Sequence, residues 1–125
     1  MAVLSNKLEK EKMKIEQIRL IHSAFKHRKA NESSTNHVAT FVPMSSNVDE
    51  AMQELFSKTQ NVDESWVKLA NGQFTLRPVT NTRSTSVGDI MTVCYQNPKG
   101  NGFKEVWYKV DDWGFSKWFD KQHIN

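Results

Sequence analysis

The chain has 125 residues, enough for one domain and too few for a second full core. Hydrophobic residues make up 38% and charged residues 25%, and four Trp, seven Phe and two Tyr supply large apolar surfaces for a core. A single cysteine, Cys94, excludes an internal disulfide framework and a cysteine-rich zinc site, and no uninterrupted apolar run reads as a signal peptide or membrane span. The expected setting is therefore soluble, reducing and cytoplasmic.

The net charge of +3 hides an asymmetry. Residues 1–30 carry eight Lys/Arg against three Asp/Glu, a net of +5, whereas residues 31–125 carry nine against eleven, a net of −2. Residues 4–29 lack Pro and Gly and are rich in Leu, Glu, Lys, Gln and Met, which predicts a helix. Leu4, Leu8, Ile15, Ile18, Ile21 and Phe25 form its apolar stripe, with Glu11 and His22 interrupting a strict heptad. Of these, Leu8, Ile15, Ile18, Ile21 and Phe25 are the candidate apolar interface, facing either the chain's own sheet or a partner. Lys10, Lys14, Arg19, Lys26, Arg28 and Lys29 are the candidate contacts to a partner or a nucleic acid. Cations in the last turn also suit the helix dipole without any partner.

Residues 30–36 read as a polar connector, so the expected organisation is a basic helical extension over 1–30, a connector over 31–36 and one domain over 37–125. Residues 37–42 alternate and end at Pro43, which predicts a strand. Asn47 with Glu50 has the form of a capping box, and Val48, Ala51, Met52, Leu55 and Phe56 give the following helix one apolar face to about Thr59. Asn-Val-Asp-Glu recurs at 61–64 and offers a cap for a short turn before Trp66 and Leu69. Phe74, Leu76 and Val79 suggest a short strand interrupted at Pro78. Ile90 to Tyr95 and Glu105 to Val110 form two strands about a hairpin loop, and Phe115 to Phe119 offers a third after the turn at Asp111–Gly114. Trp107, Trp113, Phe115 and Trp118 are expected to cover the core beneath the 47–59 helix. The expected class is α+β: a basic amphipathic N-terminal helix, then a strand–helix unit packed on a small curved antiparallel sheet or partial barrel.

Arg83-Ser84-Thr85-Ser86-Val87-Gly88-Asp89-Ile90, followed by a hairpin and by Trp107-Tyr108-Lys109-Val110-Asp111-Asp112-Trp113-Gly114-Phe115, resembles the YodL-like domain of small phage, plasmid and integrative-element proteins. The resemblance spans roughly residues 38–119; Thr85 stands where an apolar residue is more usual and Trp107 where Tyr is commoner. It implies a small accessory protein of a virus or mobile element, acting in the host cytoplasm, and it carries over no catalytic residues. The motif itself, Arg83, Ser84, Ser86, Gly88 and Asp89, has two readings. One is architectural: Gly88 takes a positive φ, Asp89 bonds nearby amides, and Arg83 pairs with Asp89, Asp111 or Asp112. The other makes it a polar pocket for an anion or a partner loop.

Constellations for chemistry are sparse. His22 and His27 are five apart, which does not place both rings on one helix face, and no Cys-x-x-Cys or His-x-x-x-His occurs, so neither metal nor cofactor is expected. Cys94 reads as a buried structural thiol, and no Gly-rich phosphate loop opens a helix. The expected function is a non-enzymatic interaction protein that binds a host protein, in defence or gene expression, or self-associates through its first helix. The alternative is a small nucleic-acid-binding module using the basic helix and exposed aromatics.

Overall fold

A computed structural model describes residues 14–23, 35–77, 83–96, 100 and 102–124. They form one six-stranded antiparallel sheet with two short helices: β1 (Ile15–Ser23), β2 (Thr35–Phe41), α1 (Val48–Lys58), α2 (Trp66–Leu69), β3 (Phe74–Leu76), β4 (Ile90–Gln96), β5 (Gly102–Asp111) and β6 (Gly114–Ile124). The order across the sheet is β3-β2-β1-β4-β5-β6, so β1 lies between β2 and β4 in its interior.

This overturns the expected α+β class with its N-terminal helix. The protein is a mostly β, open antiparallel sheet, and residues 15–23 are a central strand. The physical reason is in the registers. Against β4, Ile15 pairs with Tyr95 and Gln17 with Cys94, so Glu16 is an inserted residue. The bulge puts Ile15 and Ile18, three residues apart, on one face of the sheet, which mimics a helical step. Ile21 falls on the other face: it pairs with Ile90, whereas Ile18 pairs with Val93 and Leu20 with Met91. A strand buried on both sides carries apolar residues at nearly every position and loses the simple alternation of a surface strand. Helix propensity at 15–23 is outweighed by full burial of Ile18 and Leu20.

Most of the later expectations hold. Asn47 Oδ1 accepts from Glu50 N at 3.0 Å and starts α1, though the Glu50 carboxylate turns to the Ser45 hydroxyl instead of closing the box. Ala51, Met52 and Leu55 are the buried face of α1. Asn61 Oδ1 accepts from Trp66 N at 2.7 Å, so the second Asn-Val-Asp-Glu reaches the first amide of the short α2, whose N-cap residue is Ser65. Both helices cover one face of the sheet, where Ile18, Leu20, Phe41, Met91 and Val93 meet Met52, Leu55 and Trp66 in the main core. Of the four aromatics expected beneath α1, only Phe115 is there, edge-on to Phe56 with ring centroids 6.5 Å apart. Trp107 and Trp118 lie on the opposite face with Ile21 and Ile90, and Trp113 stands 97% exposed at the β5–β6 turn. Among the described residues no helix is long and apolar enough to cross a membrane.

Candidate functional site

The Arg83–Asp89 motif is a turn that leads into β4 and is locked onto two strands, β1 and β5. Gly88 has φ 95°, a left-handed conformation that side chains disfavour. Its N–H donates to Val110 O at 2.8 Å, and Val110 N returns a bond to Asp89 O at 2.9 Å, which fastens the turn to β5. The Asp89 carboxylate is fully buried and accepts four hydrogen bonds. Arg83 gives two of them, at 2.7 and 2.8 Å, and the amides of Ser86 and Ser23 give the others at 2.8 and 2.9 Å. Arg83 also donates to Ser23 O at 3.0 Å, so motif and end of β1 are clamped together. The hydrogen bonds to Asp89 hold the guanidinium pKa above its ordinary value. Ser84 Oγ accepts from Asn61 N at 2.7 Å, and Trp66 Nε1 donates to Arg83 O at 3.0 Å. Of the three acidic partners open to Arg83 in the sequence, Asp89 is the one it takes.

His22 continues this network inward. Its Nε2 lies 3.0 Å from Thr85 Oγ1, which lies 2.8 Å from Thr59 Oγ1 at the end of α1. Burial lowers the His22 pKa to about 4, against the opposing pull of Asp89, whose carboxylate is 3.9 Å away. Thr85 is therefore the residue that meets the imidazole.

The opposite sheet face is built differently. Trp107 stacks on Phe119 at 4.9 Å between centroids, and Trp118 meets both rings edge-on, at 6.2 and 4.7 Å. Cations sit over these rings: Lys109 4.3 Å from the Trp118 centroid, Lys121 5.3 Å from that of Trp107, and Arg19 5.8 Å from that of Trp107. Glu105, buried beside them, pairs with both Arg19 and His123, and His123 stacks on Phe103. Arg19, Thr92 and Trp107 stand side by side on β1, β4 and β5. Arg19 Nε, Thr92 Oγ1 and Trp107 Nε1 are buried without a hydrogen-bond partner. Three orphaned donors in one cross-strand row are unusual, because buried polar groups are nearly always paired.

The candidate residues of the sequence divide accordingly. Leu8, Phe25, Lys10, Lys26, Arg28 and Lys29 lie outside the described residues. Lys14 is exposed just before β1. Ile15 and Ile18 pack in the main core and Ile21 in the second cluster, so they form no common stripe for a partner. Of the two described members of the basic set, Lys14 and Arg19, it is Arg19 that joins the aromatic face. Trp107, Trp118, Phe119, Lys109 and Lys121 form a cluster outside the candidate site residues of the sequence; their signal is the aromatic–basic alternation along β5 and β6. Cys94 is buried, and burial pushes its thiol pKa up. Among the described residues no group of three or more His, Cys, Asp or Glu could hold a metal ion. Two surface depressions of about 430 and 300 Å³ lie beside α2 and beside Trp113, and no motif residue lines either.

Fold and site together define a small open-sheet protein with helices on one face and a ring-and-cation surface on the other. Comparisons with family models, curated proteins and solved structures find no match for the chain.

Proposed function

We propose that the protein is a non-enzymatic binding module, of the accessory class that the YodL-like resemblance implies, which occupies the surface of a host protein with the aromatic face of its sheet. The observation that carries this reading is the Trp107–Trp118–Phe119 cluster with Arg19, Lys109 and Lys121 over its rings. Trp and Arg are the side chains that most often dominate protein interfaces. The Arg83–Asp89 motif supports the reading from the other side, since its polar groups are spent on holding the turn.

The test is capture from host lysate by the full chain, followed by titration with the purified partner. Replacing Lys109 and Lys121 by Glu and Trp118 by Ala is expected to weaken the interaction by about 2 kcal/mol or more. Equal affinity of the native and altered chains for that partner would refute the reading. A second reading, binding of single-stranded nucleic acid on the same face, draws on the lysines poised beside stackable rings. It requires quenching of tryptophan fluorescence by an oligonucleotide, with affinity that falls steeply with salt.

A further inference from the structure

Among the described residues the sheet ends at β3 on one side and β6 on the other. The two edges differ. β3 has three residues, and shortness is one way an edge is protected from pairing. β6 has eleven residues, Gly114–Ile124, with no proline to block a ladder. An edge of that length presents a row of backbone donors and acceptors to another strand.

The register of β6 selects the strand it fits. Trp107 pairs with Phe119 and Tyr108 with Lys117, so Trp118 is an inserted residue. The bulge places Phe115, Lys117, Asp120 and Gln122 on the helix-bearing face, opposite Val110, Tyr108, Val106 and Lys104. Ser116, Phe119, Lys121 and His123 take the aromatic face, and Trp118 joins Phe119 there against Trp107. Read from either end, the facing pattern is the same about the midpoint between Trp118 and Phe119. We infer that β6 pairs antiparallel with β6 of a second copy of this chain, about a two-fold axis through that midpoint and normal to the sheet.

In this register Lys117 lies across from Asp120 of the partner subunit, and the symmetry makes the ion pair twice. Trp118 lies across from Phe119 of the partner subunit, and Ser116 across from Lys121 of the partner subunit. One step beyond the strand, exposed Trp113 comes opposite Ile124 of the partner subunit. Moving the axis by a half or a whole residue sets residues of opposite faces against each other, which a pleated pair cannot accommodate. Within one chain Asp120 pairs with Lys117 at 3.4 Å and Lys104 at 3.6 Å, and the Lys117 and Asp120 side chains, 56% and 44% exposed, remain open to a neighbouring strand. The dimer joins two six-stranded sheets edge to edge and makes their aromatic faces continuous.

Light scattering on the full chain tests this, with an expected mass twice the 14.5 kDa of one copy. Lys117→Asp or Asp120→Lys alone sets like charges across the axis and is expected to weaken the dimer on the order of tenfold to a hundredfold. An equimolar mixture of the two variants restores opposite charges and is expected to pair as well as the native chain. The variants alter only exposed side chains, and circular dichroism confirms that each is folded. A native chain that stays monomeric at every concentration overturns the proposal. So does a dimer indifferent to both reversals, or a mixture that fails to pair where each variant alone is monomeric.

Discussion

His22 gives the protein a stability that acid removes. Its imidazole is 4% exposed, its Nε2 is engaged with Thr85, and its Nδ1 has no partner. The neutral ring needs only one donor or acceptor satisfied well, but a protonated ring would present a second buried N–H with nothing to receive it. Asp89 at 3.9 Å favours the charge, and Arg83 on the same carboxylate opposes it. Desolvation outweighs both and sets the folded pKa at about 4, below the ordinary 6.5. As pH falls through 6.5, the unfolded chain binds a proton that the folded chain refuses, and stability declines until the folded ring titrates near 4. Between about pH 7.5 and about pH 5 the loss from this one group comes to about 2 kcal/mol.

The assay is denaturant unfolding of the native chain and of His22→Gln at those two pH values. Gln keeps a hydrogen bond to Thr85 within reach and removes the titration. The native chain is expected to lose about 2 kcal/mol more than the variant over that interval. Carboxylates whose pKa values are lowered in the fold, such as Glu54, Asp111 and Asp120, contribute to both chains and cancel in the difference. So does His37, lowered chiefly by burial. Equal losses in the two chains would refute the reasoning, because they would place the acid sensitivity outside this ring.

Arg83→Ala leaves the Asp89 carboxylate buried with two of its four hydrogen bonds, and is expected to cost about 3–5 kcal/mol in thermal or denaturant unfolding. Asn47→Ala removes the cap on Glu50 N and should cost about 1 kcal/mol by the same measurement, with no change at the aromatic face. Cys94 should react slowly with a thiol reagent at neutral pH and quickly only in denaturant, because it is buried and its thiol pKa is raised; fast labelling of the folded chain would contradict its placement.

Strand and helix positions after residue 37 were legible because their signals are local: the Asn47 cap, the alternation of β4, and turn residues around the hairpins. The motif's architecture was legible for the same reason, since Gly88 and Asp89 act within a few residues of themselves. What the sequence concealed depends on pairing between distant segments. Ile15 and Ile18 look helical because Glu16 is bulged against β4, a register that Tyr95 and Cys94 determine some eighty residues later. Likewise, nothing local to Trp107 or Trp118 says which face of β5 or β6 the helices will cover. The aromatic face arises from that choice, and from the Trp118 bulge that turns two adjacent rings to one side.

These irregularities also explain why a buried ion pair sits at the end of β1, where apolar packing would hold the core as well. β1 is flanked by a bulge at Glu16 and by a skipped Val38 in β2, so its neighbours constrain its register less than regular strands would. A slip of one residue would send Arg19 into the main core and Leu20 to the aromatic face. Asp89 accepts from Ser23 N, and Arg83 donates to Ser23 O, so the last residue of β1 is fixed to a turn that is itself bonded to β5. Buried polar contacts are best attested in this kind of registry role. The clamp thereby sets Arg19 beside Thr92 and Trp107, and the motif acts on the proposed binding face through alignment. The same logic predicts that an Arg83→Lys chain, with one donor group in place of the fork, keeps its fold but loses part of the near-ultraviolet dichroism of the Trp107 cluster. An unchanged aromatic signal in a folded Arg83→Lys chain would separate the motif from the face and leave the register to the core alone.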